Sequence, residues 1–97
     1  MKEVPSPGGC VMVVDDEANM CSILEQTLQL EGFAVAAFPD PRQAVSALET
    51  TRPDIVLTDL LMPGLSGMEV VEAVQQYDPG VPCIIITAHG SIDGAVD

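Results

Sequence analysis

The sequence predicts an open α/β fold, a parallel sheet with helices on both faces, and three observations carry that prediction. Short apolar runs rich in β-branched residues alternate with amphipathic stretches of helical period. The spacers between runs are of helix length, which calls for right-handed crossovers between parallel strands. Acidic residues directly follow two of the runs, at the carboxyl ends where such sheets place their ligand sites.

The first strand is Cys10 to Val14 (CVMVV), apolar at every position, as strands covered on both faces are. In the first helix Met20, Ile23, Leu24, Thr27 and Leu28 recur at three- and four-residue steps, and Gly32 stops it after Leu30 and Glu31. Ala34 to Phe38 (AVAAF) is the second strand. Asp40 can cap the next helix and Pro41 takes its first position, with Ala44, Val45 and Leu48 facing inward. Ile55 to Thr58 (IVLT) is the third strand. Ser66-Gly67-Met68-Glu69 is a capping box for a helix carrying Val70, Val71 and Val74, which Asp78-Pro79-Gly80 ends. Cys83 to Thr87 (CIIIT) is the fourth strand, and Ser91 begins a fourth helix that is cut off at Asp97.

Ninety-seven residues make one domain, and 47% apolar against 3% aromatic content predicts a core of Val, Ile, Leu, Ala and Met. Fifteen acids against Lys2, Arg42 and Arg52 give a net charge of -12. That balance argues against direct contact with nucleic acid, whose phosphates demand a basic surface, and favours a cation or a basic partner. No apolar run is long enough to span a bilayer, and MKEVPSPGG has no apolar core of a signal peptide. Residues 1–9 read as a flexible leader and the protein as cytosolic. Cys10, Cys21 and Cys83 are odd in number and lack the close pairing of a zinc or redox motif, so they read as small buried hydrophobes.

The strand ends carry the chemistry. Asp15 and Asp16 follow the first strand, Asp59 the third, and Thr87, Ala88 and His89 stand at the fourth, whereas the second ends in Phe38-Pro39 with nothing reactive. Singly, each residue has a structural reading. Asp15 or Asp16 can cap the first helix, Asp59 can begin the Met62-Pro63-Gly64 turn, and Thr87 can be an ordinary β-branched strand residue. Jointly, they fall at one kind of place on strands that should be neighbours. Three converging carboxylates repel unless a cation sits among them or a proton is taken up. All-oxygen ligation with room for water suits Mg²⁺, and Mn²⁺ can substitute for it. Beside such a metal Asp59 can act as a nucleophile on a phosphoryl group, giving an acyl phosphate whose oxygens Thr87 can bond. No arginine lies near Asp59 in the sequence, and the metal would be its partner.

These residues resemble the receiver domain of two-component response regulators. The resemblance covers Cys10 to Asp97 and rests on "VMVVDDE", "IVLTDLLMPGLSGMEV" and "CIIITAHGS". It implies a flavodoxin-like doubly wound sheet with strand order 2-1-3-4 and an Asp59 that accepts a phosphoryl group from a histidine kinase. It also implies that Asp16 and Asp59 ligate Mg²⁺ directly, that the Leu61 carbonyl is a third protein ligand, and that Asp15 holds a metal-bound water. Thr87 would be the switch hydroxyl and Ala88 the small neighbour that leaves room for it, with Pro63 and Gly67 at the family's turn positions. "TAHGSIDGAVD" is most similar to receivers fused to AAA+ activators of enhancer-dependent transcription, the nitrogen-regulation type. His89 belongs to the mobile loop in this resemblance, not to a catalytic base.

The sequence departs from the family at its end. The resemblance implies a fifth strand, a lysine after it that bonds the phosphoryl group, and a fifth helix, yet the only lysine is Lys2 and no residue can take that role. Residues 10–97 therefore read as a receiver domain truncated within its fourth helix, serving an output domain of a parent regulator. An apolar fourth strand left as an open edge predicts that the isolated chain self-associates or is only marginally stable. Two other functions stay open: a phosphorylation-incompetent fragment acting as an interaction module, and a metal-dependent phosphatase with an aspartyl nucleophile. Against the latter, such enzymes place a general acid two residues after the nucleophile, where this chain has Leu61.

Overall fold

The structure, a computed structural model, describes residues 9–86. Most of the expected leader, together with Thr87, Ala88, His89 and the helix expected from Ser91, lies outside the described residues. Four strands and four helices follow in the order β1 Cys10–Val14, α1 Ala18–Leu30, β2 Ala34–Phe38, α2 Pro41–Ser46, α3 Leu48–Thr51, β3 Ile55–Asp59, α4 Gly67–Tyr77 and β4 Cys83–Ile86. All neighbours pair in parallel in the order β2-β1-β3-β4, the flavodoxin-like arrangement. Gly9 already joins the sheet, its carbonyl accepting the Ala34 amide at 2.9 Å.

Strand side chains alternate between two cores because successive residues point to opposite faces. Val11, Val13 and Ile55 pack with Cys21 under α1, with Leu24, Leu28 and Leu57 at the margin. Met12, Val14 and Val56 pack on the other face against Ala44, Leu48, Val70 and Val74. Central strands thus bury both faces, which is why CVMVV contains no polar residue at all.

Three details differ from the sequence expectation. The inward stripe of α1 is Cys21, Leu24 and Leu28, whereas Ile23 is 57% exposed. Two residues on from Cys21 is about 200° around the helix, so Ile23 points away once Cys21 faces the sheet. The second predicted helix divides into α2 and α3 at Ala47, whose ψ of 1° leaves the helical region. Leu48 still turns inward as expected. β3 runs one residue further than predicted and includes Asp59 itself.

The predicted termini are otherwise formed as read. Asp40 accepts from the Arg42 amide at 2.9 Å. Ser66 and Glu69 make the reciprocal capping box, and Gly32, at φ 98°, closes α1. Among the described residues, no helix is long and apolar enough to cross a membrane.

Candidate functional site

The sheet order reverses between β1 and β3, since α1 carries the chain to β2 on one side and the later strands extend to the other. Register then sets what meets there. Val14 pairs with Thr58, so Asp15 and Asp59 follow side by side at the carboxyl end of the sheet. Asp59 itself pairs with Ile86 on the third neighbouring strand, β4.

One carboxylate oxygen from each of Asp15, Asp16 and Asp59 lies within 4.8 Å of the other two. Asp59 is 1% and Asp15 3% exposed, while Asp16 stands in solvent and opens the site outward. Local bonds orient the buried pair: Asp15 Oδ1 accepts from the Glu17 amide at 2.9 Å and Asp59 Oδ1 from the Leu60 amide at 2.8 Å. Neither Asp15 nor Asp16 is the helix cap, because the N-cap position of α1 falls on Glu17, whose side chain makes no capping bond. Burial pushes the Asp15 carboxyl above its ordinary value, the Glu17 amide opposes that shift, and the charges of Asp59 and Asp16 add to it.

Like charges gathered at this spacing favour a shared cation. Ligand oxygens about 2.1 Å from one Mg²⁺ lie ~3.0 Å apart when adjacent and ~4.2 Å apart across the ion, so carboxylates gathered within 4.8 Å can share it, directly or through a bound water. The donor set is all oxygen and half open to water, as that ion prefers. Asp15, Asp16 and Asp59 therefore fit a divalent metal. Leu61 follows in the loop after β3 with its side chain 62% exposed, leaving its role to the backbone.

One feature of the site escapes sequence reading. The end of β2 is not chemically empty: Pro39, Asp40, Pro41 and Arg42 form one wall of an open cleft of about 360 Å³, facing Asp16, Pro63 and Gly64. The Arg42 guanidinium lies over Gly64, with Nη2, Nε and Cζ 3.6, 3.7 and 3.8 Å from where a Cβ would stand. The signal in the sequence is only the position of Arg42 in the first turn after a strand end.

The profile of one family, described as the response regulator receiver domain, matches residues 11–97. The transcriptional regulator NtrC of Salmonella typhimurium is 36% identical over 91% of this chain and 19% of its own length. The C4-dicarboxylate transport regulatory protein DctD of Pseudomonas aeruginosa is 38% identical over 89% of this chain and 19% of its own. The chain thus spans about a fifth of these curated relatives. Among solved structures, a receiver domain protein of Clostridium thermocellum superposes with TM-score 0.79 at 28% identity, covering 88% of this chain and 69% of that one. The response regulator TrrA of Thermotoga maritima, solved in complex with Mg(2+)-BeF, gives 0.77 at 30% identity over 88% of this chain and 76% of its own.

Proposed function

The chain belongs to the response regulator receiver domain family, and from that premise we propose that Asp59 accepts a phosphoryl group from a histidine kinase and so switches a transcriptional output domain. The convergence of Asp15, Asp16 and Asp59 at the sheet's reversal point is the observation that carries this reading. An Asp59 carboxylate oxygen forms the new bond to phosphorus as the P–N bond of a phosphohistidine breaks and the imidazole leaves with its electron pair. Burial holds that oxygen in place, and the exposed side of the site, at Asp16, is where the donor enters.

Asp16, Asp59 and the Leu61 carbonyl would hold Mg²⁺, with Asp15 positioning a bound water. When bound, the metal offsets the charge of the incoming phosphoryl oxygens. The pairing of Asp59 with Ile86 supports Thr87, the next residue, as the switch hydroxyl. The Thermotoga relative's complex with Mg(2+)-BeF supports the metal, and the acidic balance of -12 supports a basic protein partner over direct nucleic-acid contact.

Residues 10–97 would be the receiver unit of a cytoplasmic regulator akin to NtrC, with the expected leader ending before Gly9, whose carbonyl is already bonded to Ala34. It is a switch that is modified once, not an enzyme that turns over substrate. Ile84 on β4 is 43% exposed beside Leu57, which supports self-association through that strand. A dilute sample sedimenting as a stable compact monomer would overturn that part.

Intact mass after incubation with Mg²⁺ and phosphoramidate tests the core of the reading. One added phosphoryl group is expected, absent in Asp59→Asn and without divalent metal. No adduct, or continued turnover of unrelated phosphate esters, would overturn it.

A further inference from the structure

We propose that the cleft between the β2–α2 turn and Gly64 is a leaving-group subsite for small acyl phosphates, in which Arg42 binds the carboxylate that departs from phosphorus. This rests on Asp59 being the phosphoacceptor.

The direction of approach leads to the cleft. In phosphoryl transfer the attacking and leaving atoms lie roughly in line, so the leaving group sits on the side of phosphorus away from Asp59. Asp59 and Asp15 are buried, and the open side of the site is marked by Asp16, which is also a wall of the cleft. A donor seated for attack therefore projects its leaving group toward that space. The volume, about 360 Å³, lies in the range of small-molecule sites.

The lining selects the chemistry. Asp16 and Asp40 are repulsive to an anion, and Arg42 is the one cationic residue among those that line the cleft. Its backbone is tied to Asp40 in the first turn of α2, its guanidinium rests over Gly64, and the residue is exposed, so the planar fork is accessible. That fork matches a carboxylate in two parallel hydrogen bonds. With acetyl phosphate, the Asp59 oxygen bonds to phosphorus, the bridging P–O bond breaks, and acetate leaves as an anion with the electron pair. No proton or co-reactant is required. With phosphoramidate the nitrogen leaves as neutral ammonia, which gives Arg42 nothing to bind.

Two measurements on the whole chain test the subsite. Phosphorylation rates with Mg²⁺ and each donor are compared for the parent chain, Arg42→Ala and Arg42→Lys. The ratio of the acetyl phosphate rate to the phosphoramidate rate should fall about tenfold in Arg42→Ala, the size of a charge-assisted hydrogen bond, and recover in part in Arg42→Lys. Equal slowing with both donors would overturn the proposal. Independently, in Asp59→Asn with Mg²⁺, the Arg42 Nε–H resonance should move on adding acetyl phosphate and stay in place with phosphoramidate. Its failure to move overturns the subsite whatever the rates show. Movement without any adduct on the parent chain upholds the subsite and overturns the phosphoacceptor reading instead.

Discussion

Gly67 and Asp59 touch backbone to backbone across the loop that follows β3. A Cβ on Gly67 would stand 3.1 Å from the Asp59 carbonyl carbon and 2.8 Å from Leu60 Cα, and closer still to the Asp59 carbonyl oxygen. The Gly67 amide in turn donates to the Leu60 carbonyl at 2.9 Å. The first residue of α4 is thus clamped on the strand end that carries the acidic site.

Gly67→Ala should therefore destabilise the chain by about 2 kcal/mol, the usual scale for forcing a group into packed structure. The atoms it meets are main chain and cannot rotate aside. Urea melts give the stability, and the phosphoramidate reaction should slow as well, because relief of the clash has to move Asp59 or α4. An unchanged urea midpoint and rate would show that the contact is not binding.

The other end of the same clamp is the capping box, with Ser66 Oγ accepting from the Glu69 amide at 3.3 Å and Glu69 Oε1 from the Ser66 amide at 2.9 Å. Ser66→Ala removes one acceptor from an exposed helix start and should cost about 1 kcal/mol. Because the Gly67 contact remains, the phosphorylation rate should hardly change. A rate loss as large as that of Gly67→Ala would mean that the cap, not the glycine, positions the strand end.

The contrast between these two residues shows what the sequence makes legible. Capping boxes and apolar β-branched runs are local signals, so Ser66-Gly67-Met68-Glu69 and, over the described residues, the strands are read to within a residue. The meeting of Asp15, Asp16 and Asp59 is legible at one remove, since parallel topology alone brings their strand ends together. Arg42 is not legible. Its place depends on how the turn at Pro39 to Arg42 lies against Pro63 and Gly64, a contact that no periodicity encodes. Ala47 is another such case, for nothing in its neighbours, no glycine or proline, marks the break between α2 and α3.

The thiols give a prediction about the far edge of the sheet. Burial alone pushes Cys83 up to about 11, and burial first, with nearby carboxylates, raises Cys10 and Cys21. At pH 8 the Cys83 thiolate is then only about one part in a thousand, and the thiolate is the reactive form. The native chain should react slowly with a disulfide reagent such as DTNB, and the denatured chain should release three equivalents rapidly. Because the folded value lies above the ordinary 9.0, the Cys83 contribution to stability is whole below that pH and is lost as pH rises toward about 11. Rapid native labelling of Cys83 would show that its half-buried thiol is not held back by desolvation.

The acidic cluster costs the fold stability when no cation is present. Unit charges within 4.8 Å of one another repel by about 3 kcal/mol or more at an effective dielectric constant of ~20. The exposure of Asp16 reduces the net effect to about 1 kcal/mol. Asp15→Asn keeps the Oδ1 acceptor that receives the Glu17 amide while removing one of the charges. In EDTA the variant should therefore be more stable than the parent by about 1 kcal/mol. Addition of Mg²⁺ should reverse the order, because binding to the native state stabilises in proportion to affinity and the parent has the stronger site. Thermal melts of both chains with and without metal read the two effects together. A variant that is less stable in EDTA and keeps the full Mg²⁺ increment would show that Asp15 is a structural carboxylate and that the metal is held without it.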